Sequence, residues 1–341
     1  MLSAVLGLFS QDLALDLGTS HTRIWMRNSG VVIDEPTVVA VHRSAKGRRK
    51  VLAIGKDALP MLGRTPHDVH TVKPIKDGRI ADFEVAEALL VHLVRRVHGR
   101  NSLMSPRMVV AVPCSTSDVE RRAVRDSCKR AGAREVHLVP RSLASAIGAN
   151  LPVDQASGHL VVDVGGGAAE IGVLSMRGVV ASRSVPGGGE AMDDAIVAML
   201  RDRFDLLVGH ATAERLKLEL GAAITRPPAT SRVAGRCLRT GVPRAVEVTA
   251  EDVTTALGPV IDAIAAGIRE VLDATPPGLA SDVVEHGVVL VGGAASLRRL
   301  DVALRDRTGL PVVVLEDGQS AAITGIGRAL ESRDLLEAVS C

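Results

Sequence analysis

Residues 13–26 have the sequence LALDLGTSHTRIWM, and residues 160–173 have the sequence LVVDVGGGAAEIGV. When Asp16 is aligned with Asp163, each stretch is an apolar run that ends in aspartate, followed by an apolar residue, glycine, small residues and a second apolar run. A third apolar run follows each stretch at a nearly matching offset. Apolar runs separated by glycine predict strands joined by tight turns. The chain therefore repeats one strand–turn–strand–turn–strand unit, which predicts a duplicated, two-lobed structure.

Helical and strand patterns alternate after each copy of this unit, which predicts a mixed α/β fold. Two segments, 31–72 and 184–247, are richer in charge and turns, and we expect them to be smaller subdomains inserted into the core sheets. The predicted helices span 84–98, 119–131, 192–204, 212–220 and 251–272. The predicted strands between them span 108–112, 136–139, 288–291 and 312–315.

The composition limits the classes of protein to which the chain can belong. Its 341 residues are many for a single hydrophobic core, which favours two lobes. A net charge of +2 argues against generic nucleic-acid binding, and 1% aromatic residues argue against a base-stacking platform. The cysteines at 114, 128, 237 and 341 form no C-x-x-C pair. This pattern argues against a zinc site and predicts buried free thiols in a reducing cytosol.

The first ten residues, MLSAVLGLFS, carry four apolar side chains at helical spacing: Leu2, Val5, Leu6 and Phe9. A signal peptide would need an early basic residue and a longer apolar stretch, and both are missing. Two interpretations stay open for this segment. It is either a short helix that lies on a membrane surface by apolar burial, or a tail packed against its own domain.

Each glycine turn of the repeat is a candidate phosphate clamp, because glycine lets backbone N–H groups approach anionic oxygens. Asp16 and Asp163 each end the strand before a turn, and paired carboxylates at one point would bind a hydrated Mg²⁺ that bridges phosphate oxygens. Asp-Gly turns are common, so this argument depends on the duplication. The turn residues are Gly18, Thr19, Ser20 and His21 in the first copy and Gly165, Gly166 and Gly167 in the second.

A third glycine turn, with Gly292, Gly293 and Ala294, follows the strand predicted at 288–291 and is predicted to open a helix. Such a turn suits a nucleoside, or a phosphate at a helix N-terminus, although it also occurs for structural reasons alone. The chain lacks G-x-x-x-x-G-K-[ST], and no G-x-G-x-x-G follows a strand. A P-loop and a dinucleotide-binding fold are therefore not expected.

The order DLGT, DVGGG and VGG resembles the superfamily of actin, heat-shock-70 proteins and sugar kinases. Longer stretches resemble one branch of it, the MreB/Mbl family of bacterial actin homologues, over about residues 11–331. The resemblance implies an α/β fold, namely a duplicated two-lobed actin-like (RNase H-like) ATPase fold with a nucleotide cleft between the lobes. The matching stretches are DEPTVVA at 34–40, MLGRTP at 61–66, KDGRIADF at 76–83, VERRAV at 119–124, AIGANLP at 146–152 and TPP at 275–277.

The same resemblance implies subdomains, cofactors and site residues. ATP and Mg²⁺ are the expected cofactors, with the metal at Asp16 and Asp163. Glu214 and Lys217, on one helix face, match a family pair that contacts the adenosine sugar and base, although their spacing alone favours a solvated salt bridge. Asp16, Gly18 and Thr19 match the first phosphate loop of the family, and Asp163, Gly165, Gly166 and Gly167 match the second. Gly292 and Gly293 match its adenosine loop, in which Ala294 stands where a third glycine is usual. The expected subdomains are IA at 1–30, 73–151 and 319–341, IB at 31–72, IIA at 152–183 and 248–318, and IIB at 184–247.

The most important departure from the family is at Arg141, where MreB proteins usually carry a glutamate that helps to position the attacking water. Guanidinium only donates hydrogen bonds and stays charged, so Arg141 is unsuited to that role, although it could pair with a γ-phosphate. We therefore expect a divergent paralogue with at most slow ATP hydrolysis. Smaller departures are Pro140, Ser142, Ala168, Ala169, Pro186, Gly187 and Ala294.

Two hypotheses about function follow from the resemblance. The first is an ATP-binding filament protein, cytoplasmic and peripheral on the inner face of the cell membrane, which organises cell shape or cell-wall synthesis. Its partners would be itself or a paralogous MreB, the membrane surface and morphogenesis proteins, with no nucleic acid. The loop at 101–105 is a possible second membrane element or an ordinary loop. The alternative is a non-polymerising nucleotide-binding switch or pseudo-ATPase adaptor.

Overall fold

The computed structural model describes residues 12–44, 48–98, 105–225 and 227–341. The apolar segment at 1–10 and residues 101–104 of the possible membrane loop lie outside these ranges, so both predictions stay untested. Across the described ranges, no helix combines the length and apolar character that crossing a membrane would require.

The strands of the described residues form two five-stranded sheets and three smaller ones. Strands β1–β9 are Leu13–Leu17, His21–Met26, Gly30–Pro36, Val39–Arg43, Arg49–Ile54, Val69–Val72, Ile75–Lys76, Arg79–Ile80 and Arg107–Val112. Strands β10–β18 are Glu135–Pro140, His159–Val164, Ala168–Ser175, Gly178–Pro186, Leu206–Leu207, Thr230–Cys237, Pro243–Thr249, Val288–Val291 and Val312–Val314.

The α-helices of the same ranges lie between these strands. Helices α1–α5 are Phe83–His98, Asp118–Arg130, Arg141–Gly148, Gly189–Phe204 and His210–Leu220. Helices α6–α10 are Ala250–Asp273, Pro277–His286, Leu300–Thr308, Ala321–Glu331 and Arg333–Val339. A capping box of Ser117 and Glu120 is present at the start of α2, where the side chain of each residue accepts a hydrogen bond from the backbone N–H of the other.

The chain divides into two compact units. The first comprises Met1–Ser157, Leu174–Ser182 and Ser320–Cys341, and the second comprises Gly158–Val173 and Arg183–Gln319.

The first unit is built on the sheet ordered β10-β9-β1-β2-β3, in which β1 pairs in parallel with β9 and antiparallel with β2. Side chains alternate between the two faces of a strand. Ile24 of β2 lies in the core cluster with residues of α1, whereas the neighbouring Trp25 lies against Gly327 of α9. Both faces of this sheet are therefore covered by helices. Strand β1 is central in the sheet and buried along its whole length.

The second unit contains β11, which pairs in parallel with β17, and β17 pairs in parallel with β18. The complete sheet is ordered β13-β12-β11-β17-β18. Helix α6 packs closely on it, because a methyl group on Gly267 would lie 2.5 Å from the side chain of Val185. The strand after each glycine turn returns next to the first strand, as it does in the first unit.

The duplication predicted from the sequence is confirmed by this topology. In each sheet, the strand after the glycine turn and the strand that follows it lie on one side of the first strand. Parallel strands from later in the chain continue the sheet on the other side. The predicted two-lobed α/β fold thus follows from one repeated unit. The division into four subdomains stays a prediction.

Two predictions need correction. The third glycine turn does not open an α-helix: Gly293–Ser296 is a short 3-10 turn, and α8 begins only at Leu300. The chain is extended at Leu297 and left-handed at Arg299, which ends the turn before a helix can form. The four cysteines are free as expected, but Cys341 is exposed and Cys114 is only partly buried.

Candidate functional site

The first glycine turn is closed by a hydrogen bond from the N–H of Gly18 to the carbonyl oxygen of His21, 3.0 Å long. The N–H groups of Thr19 and Ser20 between them donate no hydrogen bond within the described residues. Consecutive unpaired N–H groups in a tight turn form a concave site for an anion. The first predicted phosphate clamp therefore has suitable backbone geometry.

The Thr19 side chain serves a structural purpose in this turn. It is buried, and its hydroxyl accepts a hydrogen bond of 3.0 Å from the N–H of Gly78. The hydroxyl of Thr37 donates to the carbonyl oxygen of Gly18 at 2.8 Å. These two contacts fix the turn, whereas His21 is exposed at the start of β2.

The second glycine turn repeats this geometry. The N–H of Gly165 donates to the carbonyl oxygen of Ala168 at 2.9 Å. The N–H groups of Gly166 and Gly167 find no acceptor among the residues that the structure describes. This arrangement matches the first turn position by position. Each copy of the sequence repeat therefore contains one potential anion site.

Helix α4 begins directly on the second turn, which the sequence analysis did not predict. Its first N–H groups bind the carbonyl oxygens of the turn: Gly189 donates to Gly165 at 3.0 Å, and Glu190 donates to Gly166 at 2.7 Å. A methyl group on Gly188 would lie 2.5 Å from both of those oxygens. The carbonyl oxygens of Gly165 and Gly166 therefore point towards the N-terminus of α4. The run of three glycines at 187–189 is the signal that could have identified this contact.

The third glycine turn lies against the aspartate before the second turn. Gly292 has a left-handed φ of +96°, and a side chain there would meet the carboxylate of Asp163 at 2.5 Å. Asp163 is buried at the end of β11, and β17 runs beside it in parallel. Parallel strands bring their carboxyl ends to one edge of a sheet, so the two turns meet at this edge.

Lys217 brings α5 to the same place. Its ammonium nitrogen donates to the carbonyl oxygen of Gly189 at 2.9 Å and lies 2.8 Å from a carboxylate oxygen of Asp193. A methyl group on Gly189 would lie 3.4 Å from that nitrogen and 3.6 Å from the Cβ atom of Ala294. The second turn, the third turn and Lys217 therefore converge around the start of α4.

The ion pair of Lys217 was not predicted from the sequence. Its partner is the buried Asp193 of α4, whereas Glu214 is exposed on the surface of α5. Burial raises the pKa of Asp193, although the ammonium group of Lys217 opposes this effect. Nothing in the sequence distinguished Asp193 from other acidic helix residues, because its pairing depends on how α4 packs on α5.

Arg141 forms an ion pair with Asp16, and this contact defines the first unit's site. Asp16 is buried, and the side chain of Arg141 is 13% exposed. Arg141 is the first residue of α3, directly after β10, and Asp16 lies near the end of β1. Both strands run parallel to β9, which lies between them, so their carboxyl ends share one edge of the sheet. The guanidinium therefore neutralises the carboxylate that the sequence predicted to serve Mg²⁺.

The two glycine turns suit the phosphates of the expected nucleotide, but Asp16 does not suit the expected magnesium ion. The paired turns with their unbonded N–H groups fit phosphate oxygens. A magnesium ion at Asp16 fits poorly, because at about 4 Å a divalent cation and a guanidinium repel each other by about 8 kcal/mol in a medium of effective dielectric near 20.

The model of the MreB/Mbl protein family matches residues 10–338. The chain belongs to this family. It is 46% identical over 339 residues to the cell shape-determining protein MreB of Escherichia coli strain K12, covering 98% of this chain and 97% of that protein. The MreB/Mbl assignment agrees with the repeated turns and with the two-lobed fold.

Solved structures show the same fold. The crystal structure of MreB5 of Spiroplasma citri bound to ADP has a TM-score of 0.88 and 29% identity, covering 95% of this chain and 97% of that one. MreB5 has also been solved bound to AMPPNP, with a TM-score of 0.89. The double helical filament of MamK has a TM-score of 0.77 at 19% identity, with 94% of this chain and 99% of that chain covered. At that identity, the likeness to MamK shows the actin-like fold alone.

Proposed function

We propose that this MreB/Mbl protein binds ATP and forms filaments on the inner face of the cell membrane that organise cell shape or cell-wall synthesis. The observation that carries the proposal is the pair of equivalent turns closed by the Gly18 and Gly165 hydrogen bonds, each with two N–H groups available to an anion. The solved relative MreB5, bound to ADP in one structure and AMPPNP in another, supports a nucleotide as that anion.

The proposal assigns the phosphates to the two turns and the adenosine to the third turn. Lys217 holds the start of α4 in place beside the second turn, because its ammonium group donates to the carbonyl oxygen of Gly189. Glu214, exposed on the same helix, is proposed to contact the adenosine sugar. A hydrated Mg²⁺ is proposed near Asp163, whereas Asp16 is already paired with Arg141.

Hydrolysis of the bound ATP is proposed to be slow or absent. A water molecule that attacks phosphorus must be oriented by an acceptor, and Arg141 provides only donors at the position expected to do this. Its pairing with Asp16 also occupies that carboxylate. Loss of one positioning group lowers a rate by roughly 10²–10³-fold.

Two assays test whether the protein forms filaments and whether its N-terminal segment binds a membrane. Electron microscopy of the protein with ATP on a lipid monolayer should show protofilaments. Deleting residues 2–9 should release the protein from liposomes. A variant with Leu6 and Phe9 both changed to serine keeps the chain length but loses the apolar face, so it should be released as well. Liposome binding that survives both changes would reject the anchor.

The Arg141–Asp16 ion pair favours a second candidate, a nucleotide-dependent switch or pseudo-ATPase adaptor that does not polymerise. The same microscopy separates the two functions, because an adaptor would stay monomeric with ATP on every lipid surface. Binding of ATP with persistent monomers would support this candidate and reject the filament.

A further inference from the structure

The position of Arg141 is electrostatically unusual. It is the first residue of α3, and its backbone follows Pro140, which provides no side-chain cap. The N-terminus of a helix carries a partial positive charge, so a cation there is opposed by the helix. The buried carboxylate of Asp16 offsets this repulsion, because it is the acceptor of the guanidinium. Each charge is therefore stabilised by the other.

The ion pair also persists across conditions. A guanidinium stays protonated at every pH at which proteins fold, so Arg141 does not leave Asp16 by losing its proton. Both side chains are mostly removed from water, which strengthens their attraction and makes separation costly. A magnesium ion that approached Asp16 would have to displace a permanent cation.

The Arg141–Asp16 pair also sets the net charge next to the first turn. A bare carboxylate beside Gly18 and Thr19 would repel a polyphosphate, and a divalent cation would be needed to offset the repulsion. With Arg141 in place, Asp16 presents no net charge to the phosphates. The protein itself thus provides the cation at this carboxylate.

We propose that Arg141 is the built-in counter-cation of Asp16, and that ATP binding by this chain consequently does not use Mg²⁺ at that carboxylate. The proposal rests on the proposed ATP binding. It assigns Arg141 a positioning role by charge, which sets the metal dependence of the site.

The test measures the dissociation constant of a fluorescent ATP analogue in excess magnesium and in excess EDTA. The quantity of interest is the dissociation constant in EDTA divided by the dissociation constant in magnesium, which measures how strongly binding depends on the metal. Arg141→Gln exposes Asp16 to the phosphates, so we expect this ratio to rise by about tenfold or more over that of the unaltered protein. Arg141→Lys keeps the charge and should leave the ratio within about threefold of its original value. Arg122→Gln, on the exposed side of α2, is the matched control and should leave the ratio unchanged.

A second variant keeps the test decisive if Arg141→Gln does not fold. Asp16→Asn removes the carboxylate and leaves Arg141 in place. If Asp16 holds no metal, this variant should bind the analogue in magnesium at least as tightly as the unaltered protein does. A loss of about tenfold in magnesium, with no loss in EDTA, would overturn the proposal.

The remaining outcomes separate this proposal from the proposed function. Equal ratios for the unaltered protein and a folded Arg141→Gln would overturn the role of Arg141 while leaving ATP binding intact. Absence of binding in both magnesium and EDTA, for the unaltered protein, would overturn ATP binding and this inference together.

Discussion

Lys217 and Asp193 form an ion pair of 2.8 Å that joins α5 to α4 beside the second glycine turn. Both side chains are at most 14% exposed. The same ammonium group donates to the carbonyl oxygen of Gly189, so one cation satisfies both a buried carboxylate and the first turn of a helix. This pair therefore combines a structural role with a proposed role in nucleotide binding, and the two roles are experimentally separable.

Changing Lys217 to methionine should destabilise the protein by about 3 kcal/mol, because it leaves the carboxylate of Asp193 buried without its cation. Burial already raises the pKa of Asp193, and loss of the ammonium group should raise it further. Urea unfolding at neutral pH measures the free energy. Nucleotide affinity, measured on the folded variant, should also fall.

The double variant Lys217→Met with Asp193→Leu is the control for this prediction. It removes both charges, so it should recover most of the lost stability. Nucleotide affinity should stay low, because the cation is still missing. Recovery of both properties would show that Lys217 acts through stability alone.

Gly188→Ala should disturb the second turn, because the added methyl group would lie 2.5 Å from the carbonyl oxygens of Gly165 and Gly166. Overpacking of this kind costs about 1–3 kcal/mol. The variant should also bind the fluorescent ATP analogue at least tenfold more weakly. This is roughly the loss of affinity expected when one or two charge-assisted hydrogen bonds to the phosphates are lost. Unchanged affinity in a folded variant would remove the second turn from the proposed site.

Gly258→Ala is the matched control for Gly188→Ala. Gly258 lies inside α6, and a methyl group there would meet no atom within 4 Å. Alanine is a better helix former than glycine, so this variant should be more stable by about 0.5–1 kcal/mol. Its affinity for the ATP analogue should equal that of the unaltered protein.

Gly325→Ala should unfold the first unit more readily than most single substitutions. Helices α3 and α9 cross so closely that a methyl group on Gly325 would overlap the carbonyl oxygen of Ala144. Because backbone cannot move aside as a side chain can, we expect a loss of about 3 kcal/mol or more in urea unfolding. Gly278→Ala, where nothing lies within 4 Å, should change stability by less than about 1 kcal/mol. Equal effects of the two variants would contradict the close crossing.

Glu35 should make stability depend on pH in the acid range. Burial opposes its ionisation, but the N–H of Lys56 and the guanidinium of Arg96 outweigh that effect, so the pKa of Glu35 lies below its usual value. A carboxyl whose pKa is lowered by folding stabilises the protein above its unfolded pKa of about 4.3. That contribution is lost as the pH falls through the folded value.

Glu35→Gln should therefore lower the free energy of unfolding by about 1–3 kcal/mol at neutral pH and flatten its decline below pH of about 4.3. Urea titrations at a series of pH values measure both effects. The neighbouring Asp34→Asn is the control, because Asp34 is 48% exposed and its ion pair with Arg23 should contribute less than about 1 kcal/mol. A decline of equal slope in the unaltered protein and Glu35→Gln would show that Glu35 is not the group responsible.

Much of the fold was predictable because its elements are set by local pattern. The helix at 251–272 and the strand at 288–291 were predicted to within one residue at each end, since their periodicity and flanking proline or glycine are unambiguous. The start of α4 was misplaced by three residues, because Gly189, Glu190 and Ala191 have no helical pattern of their own. Contact with the second turn fixes their conformation.

The sequence by itself determined the duplicated strand–turn–strand unit, the identity of the three glycine turns and membership of the MreB/Mbl family. These features depend on short stretches whose chemistry is readable residue by residue. Only the tertiary structure decided that Arg141 pairs with Asp16 and Lys217 with Asp193. Arg141 and Asp16 are 125 positions apart in the sequence, and Lys217 and Asp193 are 24 positions apart. Such partners are chosen by how strands and helices pack, because many surface charges could have paired equally well along the chain.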